Sequence, residues 1–204
     1  DATAMNCFGT GFNGDLTVTG TTYTDALRTG VSATSSAGQT VVNVATTTGF
    51  VSNQEVMIIQ MTGTGVGNYE TKTIGSVGAG TLTMTANLAN TYTNDASSKA
   101  QVIKLPNYKS VTVASGGTLT VGAWDGTTGG VMNFRASQGV TVNTGGSITA
   151  VGKGFGGGTN GSGASNGGGG EAGGTGAGTS AVSPDPLIED VYAGNGANAA
   201  SYAS

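Results

Sequence analysis

The sequence predicts an all-β protein: a small β-barrel or sandwich module, then short β-solenoid-like coils, then a glycine-rich segment. Three observations predict it. Short runs that alternate apolar and polar residues, rich in β-branched types, recur along the first half of the chain, and no stretch there carries a helical period. VTVASGGTLTV at 111–121 returns as VTVNTGGSITA at 140–150, 29 residues later. Between 152 and 178, 15 of 27 residues are glycine. The 204 residues therefore divide into an N-terminal segment (1–30), a barrel or sandwich (31–105), two coils (106–151) and a glycine-rich segment with an apolar anchor (152–204).

Residues 1–14 are punctuated by glycine and weakly patterned, which suits either a disordered leader or a segment that pairs with something else as a strand donor. DLTVTGTTYT (15–24) alternates in the manner of a strand. QTVVNVA (39–45), EVMIIQM (55–61), YETKTIGSV (69–77), GTLTMTA (80–86) and AQVIKLP (100–106) follow, separated by turn signals rich in Gly, Ser and Asn. Strands at this spacing indicate a barrel or sandwich. The run from Val56 to Met61 is continuously apolar apart from Gln60, so it predicts a central strand covered on both faces. Gly78 and Gly80 flank Ala79 in a predicted hairpin, where either glycine can take a positive φ.

After Pro106 the pattern changes. Val111, Val113, Leu119 and Val121 in one copy match Val140, Val142, Ile148 and Ala150 in the next, so the inward-facing apolar set is preserved. Stacked coils need this, because each coil buries its apolar face only against its neighbours. GGVMNFRA (129–136) predicts a further short strand between them. Two copies are fewer than the three or so that stand alone, so the open ends call for partners. The glycine tract reads either as a flexible linker or as packed polyproline-II strands. Every third residue from Gly152 to Gly176 is glycine in seven of nine cases, which is the polyproline-II period. Phe155, Leu187, Ile188, Val191 and Tyr192 are its apolar anchors.

Composition narrows the function. Charged residues are 9% of the chain with a net charge of −4, against roughly 25% charged in an ordinary domain. Such a surface leaves little repulsion between copies. The seven basic residues are scattered, so nucleic acid is not an expected partner. No run of about 18 apolar residues is present, so no membrane span is expected. The chain opens DATAMNCFG, without a basic-then-apolar leader, and secretion is expected through a leader already removed.

Catalysis and cofactors are not expected. With no histidine there is no His-based triad and no histidine metal site, and the glycine tract holds no phosphate-binding GxxxxGK[ST]. Asp15, Asp25, Glu55, Glu70, Asp95 and Asp125 are isolated in sequence and read as turn or surface acids. Asn87, Asn90, Asn94 and Asp95 supply oxygen ligands of the kind calcium takes, but their spacing fits an Asn-rich turn. Trp124, Asp125 and Tyr108 are the candidate glycan contacts. Trp124 would stack on a sugar that Asp125 hydrogen-bonds, or else it covers the end of the coils. Cys7, the single cysteine, is either a small buried hydrophobe or an intermolecular thiol.

GFVSNQEVMIIQMTGTGVGNYE (49–70), SVTVASGGTLTVGAWDGTTGGVMNFRAS (110–137) and VTVNTGGSITAVGKGFGGG (140–158) together resemble the glycine-rich, repeat-bearing cell-surface proteins of bacteria. The coils are also similar to those of filamentous-haemagglutinin-like adhesins. The resemblance covers roughly half the chain and implies an extracellular, β-rich, structural or adhesive role with no catalytic motif. The leading expectation is a structural subunit or module of an extracellular filament or surface layer, assembled through β-strand contacts with other copies of itself. The alternatives are an adhesin module binding surface glycans and a fragment of a polysaccharide-degrading or phage-spike solenoid.

Overall fold

The computed structural model describes residues 8–155; Cys7, nearly all of the glycine-rich segment and the anchors from Leu187 to Tyr192 lie outside them. Among the described residues the fold is all-β, with no helix. Six strands form one antiparallel sheet: β3 (Arg28–Gly30), β4 (Val41–Asn43), β5 (Glu55–Thr62), β6 (Tyr69–Gly78), β7 (Thr81–Met84) and β8 (Lys99–Lys104), in the order β3-β8-β5-β6-β7-β4. The sheet curls until its edges touch. Val31 bridges Val44, with Ser32 N–H donating to the Asn43 carbonyl at 2.9 Å and Ala45 N–H to that of Gly30 at 2.9 Å.

The curl follows from strand period. Along β5, Val56 and Ile58 point into the barrel with Ile74, Leu82, Tyr92 and Val102, while Met57, Ile59 and Met61 point outward. That outer face, which Ile103 of β8 shares, is covered by Val131 and Trp124, so β5 is buried on both faces as its apolar run predicts. Gln60 lies fully buried on this strand because both ends of its amide are used. Its Nε2 donates to the Thr62 and Thr93 carbonyls, and its Oε1 accepts the Thr93 N–H. In the β6–β7 hairpin Gly80 takes φ +70°, whereas Gly78 keeps an ordinary φ with its Cα hydrogen facing the Thr81 hydroxyl.

The remaining strands are parallel and build a stack of coils. β1 (Leu16–Val18), β9 (Asn107–Val113) and β11 (Arg135–Val142) form one sheet in the order β1-β9-β11. β2 (Thr21–Tyr23), β10 (Thr118–Thr120) and β12 (Ser147–Ile148) form the other in the order β12-β10-β2. Each strand pair is one rung. Leu16, Val111 and Val140 stack in register, as do Val18, Val113 and Val142, and Thr22, Leu119 and Ile148. The repeat therefore has three rungs in place of the two that a fixed 29-residue period reveals. The first, DLTVTGTTYT, is separated from the second by the whole barrel, which lies in sequence between β2 and β9.

The rung corners depend on paired glycines. Gly116 and Gly145 take φ of +77° and +83°, which costs glycine little. Gly117 and Gly146 serve a different need. A Cβ at Gly117 would sit 2.2 Å from the Val18 carbonyl oxygen, and one at Gly146 2.7 Å from that of Ala114, so each corner lies directly on the backbone of the rung before it. The strand expected at 129–136 begins only at Arg135. The residues before it carry Val131 onto the outer face of the barrel and Phe134 onto the core of the rungs.

Candidate functional site

Charged residues are scarce, 9% of the chain. Asp125 opens a tight loop, and its carboxylate is consumed by it. Oδ1 accepts the Thr127 N–H at 2.8 Å, the Thr127 hydroxyl at 2.7 Å and the Thr128 N–H at 2.8 Å, while Oδ2 accepts the Thr128 hydroxyl at 3.1 Å. The Thr127 hydroxyl foremost, with the Thr128 and Thr127 amides and the Thr128 hydroxyl, outweighs the desolvation that pushes the other way and holds this carboxyl down at about 2. Trp124 is half-buried, its ring 5.8 Å from that of Phe155 and packed against the outer face of the barrel. Tyr108 is half-buried in the core of the rungs instead, 6.3 Å from the Phe134 ring, and burial pushes its hydroxyl above the ordinary phenol value. Trp124 and Asp125 are thus neighbours on one loop, whereas Tyr108 packs in a separate apolar cluster.

Of the acids that read as surface groups, Asp25 is buried and Glu70 half-buried. Asp25 has no exposed surface. Its Oδ1 accepts the Gly122 N–H at 2.8 Å, and its Oδ2 lies 3.3 Å from the Arg28 guanidinium, which packs flat against Gly122. Glu70 accepts N–H groups of Ala89 and Asn90 and the hydroxyl of Tyr92, and pairs with Lys72 at 2.8 Å. Burial pushes Glu70 upward, but these donors outweigh it and leave its carboxyl below the usual value; Tyr92 is driven far upward by burial and by the Glu70 charge. Desolvating an acid is tolerable only with such partners; Arg28 and Lys72 are near in sequence, whereas Gly122, Ala89, Asn90 and Tyr92 are brought in by the fold.

Glu55 and Arg135 pair at 2.8 Å where barrel and rungs meet, and Asn107 Nδ2 donates to the other Glu55 oxygen. Asn107 also binds the N-terminal segment, giving its N–H to Asn13 Oδ1 and taking the Thr10 N–H on its Oδ1. Residues 8–14 of the segment expected to donate a strand therefore lie, in part, on their own β9. In the Asn-rich turn, Asp95 Oδ1 caps Ser97 and Ser98, and the Lys99 ammonium contacts Asn94 Oδ1 and the Asp95 carbonyl. The Lys99 ammonium thus lies against two oxygens of this turn. No group of three or more acid, Cys or His side chains able to hold a metal occurs among the described residues.

The feature left open is the third rung. Val111 and Val113 are 1% and 0% exposed, yet Val140 and Val142 at the same positions one rung on are 46% exposed each. β11 has β9 on one side and no strand on the other among the described residues, and β12 stands likewise beyond β10. An apolar strand edge of this kind displays alternate N–H and C=O groups ready to pair with another chain.

No family model matches the chain, and no curated protein matches it. Three solved structures are similar over part of it. The Gp54 tailspike of Acinetobacter baumannii bacteriophage AP22, solved in complex with A. baumannii capsular saccharide, aligns at 11% identity and TM-score 0.34, over 53% of this chain and 22% of that one. The tailspike protein gp49 from Pseudomonas phage LKA1 aligns at 18% identity and TM-score 0.30, over 43% and 15%. The Pseudomonas phage phi297 tailspike gp61 aligns at 12% identity and TM-score 0.32, over 67% and 25%. The chain spans a quarter or less of the length of these proteins, and at such scores they assign it to no family. What the fold itself defines is a class: a parallel rung stack carrying an inserted antiparallel barrel.

Proposed function

We propose that this chain is a structural module of an extracellular or cell-surface assembly, with no catalytic role, in which strands of other copies continue the rung stack. The exposure of Val140 and Val142, at positions buried in the rung before, carries the reading. The polar chemistry is consistent with it. Asp25, Glu55, Glu70, Asp95 and Asp125 each hold backbone or a neighbouring side chain in place, which leaves them ill suited to proton transfer. Low charge favours contact between like chains.

Sedimentation of the full chain over a hundredfold range of concentration tests the reading. Concentration-dependent association is expected, and Val140→Lys with Val142→Lys should abolish it without unfolding the barrel. A chain that stays monomeric throughout overturns the reading. It would favour a second one, supported by the three in-register parallel rungs: a section of a longer solenoid of the phage-spike or adhesin kind, whose own polypeptide supplies the next rung and whose glycan contacts would include Trp124.

A further inference from the structure

We propose that residues 8–14 are a releasable clasp: seated, they lock the joint between barrel and rungs, and lifted, they free that joint and the start of β11 together. The clasp acts within one chain, whether or not copies associate.

Residues 13 and 14 prolong β1 backwards along β9. Asn13 N–H donates to the Asn107 carbonyl at 2.8 Å, and Lys109 N–H donates to that of Gly14 at 2.7 Å. The chain turns just before them, where Gly14 N–H donates to the Gly11 carbonyl at 2.9 Å. It then runs back across the sheet towards β11. Gly11 lies against Lys109 of β9 and Ser137 of β11, and Gly9 lies against Asn107 and Arg135. Ser137 falls where β11 shifts register between Ala136 and Gly139, so the segment rests on the irregular start of that strand. Glycine makes the approach possible. Gly9 is buried with φ +89°, and a Cβ there would sit 2.6 Å from Arg135 Cβ and 2.7 Å from Asn107 Oδ1.

The two residues under Gly9 are the two that grip Glu55, the first residue of β5. Arg135 Nη2 donates to Glu55 Oε1 at 2.8 Å, and Asn107 Nδ2 donates to Oε2 at 2.9 Å. The segment holds each of them in turn. Gly9 packs on the aliphatic stem of Arg135, and Thr10 N–H donates to Asn107 Oδ1 at 3.3 Å. Asn107 is 6% exposed, with one end of its amide turned to the barrel and the other to the segment. Its backbone N–H goes to Asn13 Oδ1 at 2.7 Å. Lifting the segment therefore takes a donor from a buried amide and the packing from an arginine stem. Both partners of Glu55 loosen at once.

The fastening is light enough to open. Phe8 and Phe12 are 73% and 88% exposed when the segment is seated, so seating buries little of either ring. Hydrogen bonds and glycine contacts do most of the holding, and segments that bury little apolar surface open at the low end of the free-energy scale. Coupling is reciprocal, so the joint must also hold the segment.

Amide hydrogen exchange of the full-length chain tests both directions. In the parent chain Thr10 and Asn13 should exchange faster than the amides of β5 and β8. Gly9→Ala lifts one end of the segment and Asn13→Ala unfastens the other. Each should speed exchange at Thr10 about five- to tenfold, the net worth of roughly one hydrogen bond. Exchange should rise in step at Leu105 and Arg135, whose N–H groups bond the Glu55 and Pro106 carbonyls and not the segment. In the reverse direction, Glu55→Ala should speed exchange at Thr10 and Asn13. Faster exchange confined to 8–14 in the two segment variants overturns the coupling and leaves a passive cover. Thr10 and Asn13 unmoved by Glu55→Ala overturns it as well. If either segment variant loses protection throughout β5 and β8, or if Thr10 and Asn13 exchange as slowly as those strands in the parent, the segment is an inseparable part of the fold and no clasp.

Discussion

The two glycines of each coil corner meet different physical demands, and substitution should separate them. Gly116 has φ +77° and open space around the position a Cβ would take, so Gly116→Ala carries only the left-handed backbone penalty, about 1–2 kcal/mol. At Gly117 a Cβ would fall 2.2 Å from a carbonyl oxygen of the rung beneath, and that neighbour is backbone and cannot rotate away. Gly117→Ala must push two rungs apart, so its cost should reach the upper part of the about 1–3 kcal/mol typical of overpacking, or exceed it. Urea denaturation of the two variants should rank Gly117→Ala as the less stable; the reverse order would mean the corner relaxes without moving the rungs. Asp125 is a comparable case of local demand, and part of it was legible. An Asp followed by Gly126, Thr127 and Thr128 is the sequence of a turn in which a side-chain oxygen caps backbone N–H groups. The burial of Asp25 was not legible: Arg28 is a local partner, three residues on, but the Gly122 N–H that its other oxygen accepts lies 97 residues away.

Elements explain where the sequence pattern succeeds and where it stops. The outline of β5 is plain from its apolar run, because a strand covered on both faces has no polar positions to interrupt it. Rungs two and three are equally plain, sharing spacing and corner. The first rung escaped as a rung for two reasons. Its corner, Thr19–Gly20, is two residues shorter than Ala114–Ser115–Gly116–Gly117, and a barrel separates it from its neighbour, so a search at constant period passes over it. Barrel and rungs are joined by the apolar cluster that Val131 and Trp124 form on the outer face of β5, and by polar contacts, of which Gln101 on β8 is a direct one. Its buried amide gives Nε2–H to the Gly129 carbonyl and takes the Gly129 N–H on Oε1, each at 2.8 Å, as one strand residue would pair with another. Gln101→Leu keeps the volume and strands both backbone groups, at about 1–3 kcal/mol for each buried group left unpaired. The expected result is a lower unfolding midpoint together with faster proteolysis between Gly122 and Val131. If the midpoint falls and that loop stays protected, Gln101 supports the barrel alone and does not fasten the two parts together.

At the scale of the molecule, the barrel is closed on itself and the rung stack is not, so the two parts should respond differently to protein concentration. β9 has strands on both sides and β11 on one, which leaves alternate backbone N–H groups of β11 with no strand to receive them inside the described chain. Amide hydrogen exchange reads this directly, since protection follows the free energy of opening each hydrogen bond. At low concentration the amides of β5 and β8 should exchange slowly, those of β9 likewise, and the outward-facing amides of 139–142 quickly. Raising the concentration should slow exchange in 139–142 and in β1, at the two ends of the stack, and leave the barrel strands unchanged, because only the ends gain partners. The paired response is the decisive part. Protection at β11 without any at β1 would mean that something other than the first rung covers the third, and protection independent of concentration would place that cover within the chain itself. A simultaneous rise at β1 and β11 has one simple cause, a stack that continues from one copy into the next.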